Sequence, residues 1–218
     1  MDRTKKVLHI KNVFDKLYGD AICSLNYKTP FELLVATILA AQCTDARVNI
    51  VTKDLFKKYK TIDDFANANL EELMEDIRPT GFFRNKAKNI IGTAKMILSD
   101  FGGKVPSNRE DLLKLPGVGR KTANLMLGDI YNIPALVIDT HAKRITNRLG
   151  LTKETDPAKI EFDLDDVVPK EYQAKFCHQL VFFGRDICDA RKPKCGICPV
   201  SDVCEYYKKS KKDKKSAS

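Results

Sequence analysis

"LPGVGRKTAN", Leu115–Asn124, is the stretch on which the fold turns. "EDLLKL" before it reads as a short helix and "RKTANLMLGDIY" after it as the next, with only "PGVG" between them. Glycine at 117 and 119 permits positive φ and lets another backbone or a ligand approach closely, while Val118 can tuck between the helices and fix the hairpin. The amides of the turn and of the second helix's N-terminus then point outward unpaired. With the positive end of the helix dipole they suit a phosphate oxygen, a contact that carries no sequence readout. A plain helix–helix corner would use the same glycines for geometry alone. Arg120 and Lys121 favour the phosphate site. Lys121 is poorly placed for helix stability, because a cation at a helix N-terminus opposes the dipole. That disfavour has a chemical use: helix end and arginine both penalise the ammonium form, and a neutral amine is a nucleophile toward electrophilic carbon. The alternative is a solvated lysine.

Outward from the turn the chain reads as helix after helix. In "TPFELLVATILAAQ" Thr29 can cap, Pro30 fits the first helical position and Glu32 completes a capping box. Phe31, Leu34, Val35, Ile38, Leu39 and Gln42 then fall on one face. "NLEELMEDI" has Asn69 as a cap. "RNKAKNIIGTAKMILSDFGG" places Ala87, Ile90, Ile91, Ala94, Ile97 and Leu98 on a stripe, and "SNREDLLKL" opens with Ser107 and Glu110 as another box. "PALVID" is the one β-like run and is too short for a sheet. The expectation is an all-α protein.

"VIDTH" places Asp139 where a helix cap belongs. A carboxylate held this way stays ionised and can stabilise a developing cation or orient a proton transfer. His141, two residues on, reads as a structural residue of the helix start.

Of 218 residues, 38 are Lys or Arg and 29 Asp or Glu, a formal net charge of +9 that favours anionic partners. The stretch "KKSKKDKKSAS", residues 208–218, supplies five of those charges and is expected to be a disordered, lysine-rich tail. With no secretory h-region and no run of eighteen apolar residues, the expectation is a cytoplasmic protein without a membrane span. Seven cysteines are present, four of them at 188, 195, 198 and 204 with gaps of six, two and five. In a reducing compartment such a crowd points to metal rather than disulfides. Four thiolates serve a zinc ion or an iron–sulfur cluster equally well, and spacing alone does not separate them. Arg191, Lys192 and Lys194 fall in the six-residue gap, on a loop pinned at both ends, where they suit phosphate or compensate an anionic centre. Cys23, Cys43 and Cys177 read as core or near-core thiols.

These residues together carry a resemblance. "LPGVGRKTAN" resembles the helix-hairpin-helix of base-excision DNA glycosylases, and "VIDTH", about fifteen residues on, resembles that family's catalytic aspartate segment. The cysteine spacing is similar to that of endonuclease III, as are "LLVATILAAQCTDARVN" and "TGFFRNKAKNI". The resemblance runs from residue 1 to about 207 and implies a two-lobed, all-α fold. A six-helix barrel spans 23–133, and a lobe of 1–22 with 134–207 holds a [4Fe-4S] cluster on Cys188, Cys195, Cys198 and Cys204. It implies a monomer acting on double-stranded DNA as a glycosylase and abasic-site lyase on oxidised pyrimidines. Lys121 is then the nucleophile and Asp139 the supporting carboxylate. Gln42 matches the residue that fills the hole left by an extruded base, and Phe82 an inserted wedge where relatives commonly carry leucine, although "GFF" does not say which ring is buried. Gly117, Gly119, Arg120, Arg191, Lys192 and Lys194 fall at DNA-contacting positions. Adenine-mismatch glycosylases share the cluster but lack the lysine and carry a further C-terminal domain. A non-catalytic DNA-binding module with a zinc site is the rival from another class.

Overall fold

The computed structural model describes residues 1–216, with side chains to residue 211. Among the described residues there are twelve α-helices and no strand. They are α1 (Arg3–Leu17), α2 (Pro30–Leu39), α3 (Asp45–Lys58), α4 (Ile62–Ala66), α5 (Leu70–Ile77), α6 (Phe83–Asp100), α7 (Arg109–Lys114), α8 (Arg120–Tyr131), α9 (Thr140–Leu149), α10 (Pro157–Asp165), α11 (Gln173–Asp186) and α12 (Glu205–Ser216). No helix among them is long and apolar enough to cross a membrane.

The chain folds as two compact units, one formed by Cys23–Ile133 and the other by Met1–Ile22 together with the chain from Pro134 onward. The first unit carries α2 to α8 around a core of Leu33, Leu34, Leu39, Phe65, Leu73, Ile77, Ile90 and Ile97, each essentially inaccessible. The second packs α1, α9, α10 and α11 around Ile10, Phe14, Ile145, Phe176, Leu180 and Phe183. Phe14 lies 4.9 Å from Phe183 between ring centroids. Burying a side chain of this size contributes roughly 1.5–3 kcal/mol.

Short polar side chains start most of the helices. Asp2, Thr29, Thr44, Thr61, Asn69, Asn108, Asp139 and Asp156 each accept a first-turn amide, and such caps are worth about 1 kcal/mol apiece. Two details differ from expectation. Glu32 accepts from Lys28 N at 2.5 Å, one residue upstream of the Thr29 amide that a capping box would use. The helix after Ser107 is capped one residue later, by Asn108 on Asp111 N. α6 at Phe82, α8 at Gly119 and α11 at Tyr172 begin without a side-chain cap.

α12 runs from Glu205 to Ser216, so the described part of the lysine-rich stretch is helical. Lysine is a good helix former. Tyr207 packs on the core of its unit, and Lys211 covers the Tyr207 ring four residues on, 4.6 Å from its centroid. Residues 217 and 218 lie outside the described residues.

Candidate DNA interface and cysteine centre

The turn after α7 is seated on α6. Thr93 Oγ1 donates to Pro116 O at 2.8 Å, and Val118 N to Leu115 O at 3.1 Å. Val118 is buried at 7 % exposure, as a residue tucked under the hairpin should be. Gly117 has φ +76°, and a Cβ there would stand 2.7 Å from Asn89 Nδ2, so both backbone and packing demand glycine. Gly119 differs. Its φ of −99° suits any residue, and a Cβ on it would meet nothing within 4 Å. Nothing inside the protein requires this glycine; what it does is keep the space before α8 clear. The first turn of α8 has no side-chain cap and no acidic residue, so its amides face outward with the positive end of the dipole. Arg120 and Lys121 are the first two residues of that helix, and both are exposed.

Three exposed residues of the same unit hold a left-handed backbone that non-glycine residues rarely adopt: Gln42 at φ 55°, Phe82 at φ 48° and Asn132 at φ 52°. Asparagine takes it most readily, so the glutamine and the phenylalanine are the unusual ones. Each such conformation costs of order 1–3 kcal/mol and persists only where the surroundings enforce it. Gln42 does not continue the apolar face of α2. That expectation is corrected, since the helix ends at Leu39 and the glutamine stands in the turn beyond it, exposed. The "GFF" ambiguity resolves as well. Phe82 is 62 % exposed, whereas the Phe83 ring is flanked by the Arg78 and Arg84 guanidinium groups, at 5.2 and 5.0 Å.

In the other unit Asp139 caps α9, its Oδ1 accepting from Ala142 N at 2.7 Å. The side chain is half-buried, and its second oxygen is not used by the cap. His141 lies over Gly184, where an added Cβ would stand 2.4 Å from its Nδ1, and Arg144 Nη2 lies 3.2 Å from the same nitrogen. It is a packed residue of the helix start.

Cys188, Cys195, Cys198 and Cys204 all line one cavity, with Leu149, Phe183, Pro193 and Tyr207 among its other walls. Among the described residues no three Cys, His, Asp or Glu side chains converge tightly enough to share one metal ion. The sulfurs of a single tetrahedral zinc, with Zn–S ≈ 2.3 Å, sit only about 3.8 Å apart. Four thiols spaced around a cavity fit a larger group with four thiolate ligands, as an iron–sulfur cluster is. Burial pushes the Cys198 thiol up to about 11 and raises that of Cys204, so it is metal binding that would draw their protons off.

Arg148, on α9, carried no signal in the sequence. Its guanidinium donates to Asp189 O at 2.7 Å, Ala190 O at 2.8 Å and Cys188 Sγ at 3.4 Å, and it stacks on the Tyr206 ring at 4.8 Å. The basic loop is shaped by Asp189, whose Oδ1 accepts from Arg191 N at 2.8 Å and Lys192 N at 2.9 Å. These amides hold its carboxyl below the usual range. Arg191, Lys192 and Lys194 are exposed. Lys194 Nζ is 4.0 Å from Asp186.

Comparison with known proteins agrees with this geometry. Residues 35–170 match the family model of the HhH-GPD superfamily of base excision DNA repair proteins, and residues 188–204 match the iron-sulfur binding domain of endonuclease III. Endonuclease III of Synechocystis sp. is 48 % identical over 93 % of this chain and 93 % of its own length. A solved non-covalent complex of an endonuclease III with DNA superposes with a TM-score of 0.91 at 42 % identity, covering 97 % of this chain and 100 % of that one. A trapped covalent endonuclease III–DNA intermediate superposes with the same score, identity and coverage.

Proposed function

The chain belongs to the HhH-GPD superfamily of base excision DNA repair proteins, in its endonuclease III family, and from that premise we propose that Lys121 and Asp139 carry its chemistry. It is a DNA N-glycosylase and abasic-site lyase of base excision repair, its partner is DNA, and it carries a [4Fe-4S] cluster. The observation that supports the residue assignment is the hairpin. Gly117 shapes the turn, Gly119 leaves the front of α8 open, the first-turn amides are uncapped, and an exposed amine stands at the second helical position.

The reaction follows from these parts. The sugar carbon is unreachable within the stack, so the damaged nucleotide leaves the duplex. Gln42 fills the gap and Phe82 wedges the opened step, each an exposed residue with a left-handed backbone. The hairpin amides take a backbone phosphate, with Arg120 beside them. Lys121 Nζ attacks C1′ as the glycosidic bond breaks, its electron pair leaving with the base. Asp139, held at Oδ1 by its own helix, faces the cationic sugar with its other oxygen and assists proton transfer. Ring opening gives an imine between Lys121 and C1′. Loss of a C2′ proton then expels the 3′ phosphate and cuts the strand. When bound, the cluster ties together the loop that carries Arg191, Lys192 and Lys194, residues placed to meet phosphate.

The substrates are oxidised pyrimidines and the abasic sites they leave, and the enzyme works as a cytoplasmic monomer. A panel of duplexes with single defined lesions, assayed in parallel for base release and strand scission, tests this reading. Scission accompanying release on oxidised pyrimidines is expected. Release without scission would remove Lys121 from its role, and release restricted to purines would overturn the substrate class.

A further inference from the structure

Lys86 is a lysine at 4 % exposure inside the Cys23–Ile133 unit. Lysine is almost never so buried without partners, because moving its charge out of water is costly. Its Nζ donates to Leu39 O at 2.8 Å and to Thr80 O at 2.8 Å. Leu39 is the last residue of α2, so its carbonyl is one that the helix itself leaves without a partner, at the negative end of the dipole. Thr80 closes the short 3-10 turn Arg78–Thr80 that follows α5. Burial lowers the pKa of Lys86, with the nearby Cys43 acting the other way.

Both carbonyls belong to the segments that hold the strained residues. Gln42 lies three residues beyond Leu39, and Phe82 two beyond Thr80. Phe82 O accepts the first helical bond of α6, from the Lys86 amide at 3.1 Å, as it would from any residue at that position. One residue thus joins two loops that are otherwise far apart in the chain. We propose that Lys86 is a positioning residue, whose buried ammonium locks the Gln42 and Phe82 loops into one rigid rim and holds both residues ready to enter the duplex. This rests on the reading of Gln42 and Phe82 as the side chains that replace and displace bases. A rim fixed in advance spends no binding energy on ordering its loops as the nucleotide is extruded.

The test is single-turnover base release from an oxidised pyrimidine in a fully paired duplex and in an unpaired bulge, where little extrusion is needed. Lys86→Met keeps the side chain's length and removes its donors. It should slow release from the paired duplex about ten- to a hundred-fold, the effect of misplacing a reacting group by an ångström, and should recover on the bulge. Added to Gln42→Ala/Phe82→Ala, it should cost nothing further, since residues that act as a unit are non-additive. Equal slowing on both substrates, or full additivity, would reduce Lys86 to a core strut and overturn the proposal. A defect in Gln42→Ala/Phe82→Ala with an unaffected Lys86→Met would overturn it alone. No defect in Gln42→Ala/Phe82→Ala would overturn the rim reading and the proposal together. Iron content and thermal melting report folding. If Lys86→Met does not fold, Lys86→Arg, which keeps the charge but displaces the donors, goes through the same comparison with the same deciding outcomes.

Discussion

Arg148 and Cys188 are in direct contact, Nη1 to Sγ at 3.4 Å. The carbonyl of the same arginine accepts from the protonated Cys204 Sγ at 3.3 Å, a bond that goes when that thiol ionises as a ligand, so it is the guanidinium that would still hold a cysteine of the bound centre. A ligand set gathered from seventeen residues with little regular structure needs such an anchor, because the hydrogen bonds around a thiolate orient it and tune the metal.

Arg148→Met should therefore loosen the cluster. Loss of its charged hydrogen bonds costs about 3 kcal/mol, which lowers the melting midpoint by roughly 6–12 °C in a chain of this size. Iron per protein and the yellow-brown colour should both fall. Full iron content with an unchanged midpoint would make the arginine incidental.

The two hairpin glycines should separate fold from binding. Gly117→Ala places a Cβ against Asn89 and forces a left-handed alanine, at a cost of at least about 1–2 kcal/mol. It should lose stability and DNA affinity together. Gly119→Ala meets no atom of the protein, so its melting should stay within about 0.5 kcal/mol of wild type, as for a surface change. Its affinity should still drop, because the added methyl occupies the space left for phosphate. Wild-type binding by Gly119→Ala would put the phosphate elsewhere.

Asp139→Asn retains an oxygen for the Ala142 amide and loses only the charge. Base release should slow by about two to four powers of ten, the range of a positioned acid–base group, with little change in melting. Asp139→Ala should add a capping loss of about 1 kcal/mol. Normal release by Asp139→Asn would leave the residue as a cap and nothing more.

Lys192→Ala/Lys194→Ala should weaken binding alike on all sequences and lower the salt slope by up to about two units, at roughly 0.9 per lost phosphate contact. Lys194 is partly engaged with Asp186, so Lys192 should account for the larger share. The measurement is best repeated on protein ending at Tyr207, without the lysine-rich tail. An unchanged slope would place the loop away from DNA.

Much of this was legible in the sequence. Local rules sufficed for most helix starts, since Thr29 or Asn69 beside an apolar stripe offers one good cap. Ser107 and Asn108 are adjacent capping residues, and it is Asn108 that takes the Asp111 amide. Gln42 kept the period of α2, and nothing in "LAAQCT" marks the point where the backbone leaves the helix at Leu39. Lys86 reads as a polar interruption in a stripe, because one of its partners is a carbonyl 47 residues away. Arg148 reads as an ordinary last-turn cation for the same reason, its contacts lying some forty residues on. Side chains that act through distant backbone leave no periodic trace.

The most direct measurement is borohydride trapping on abasic or lesion-bearing duplex. Borohydride reduces an imine to a stable amine, so wild-type protein should be trapped on DNA as a covalent adduct. Lys121→Gln, which keeps polarity and reach but has no nucleophilic amine, should give no adduct while binding the same DNA. An adduct formed normally by Lys121→Gln would mean that another amine attacks the sugar, and would contradict the assignment built on Leu115–Asn124.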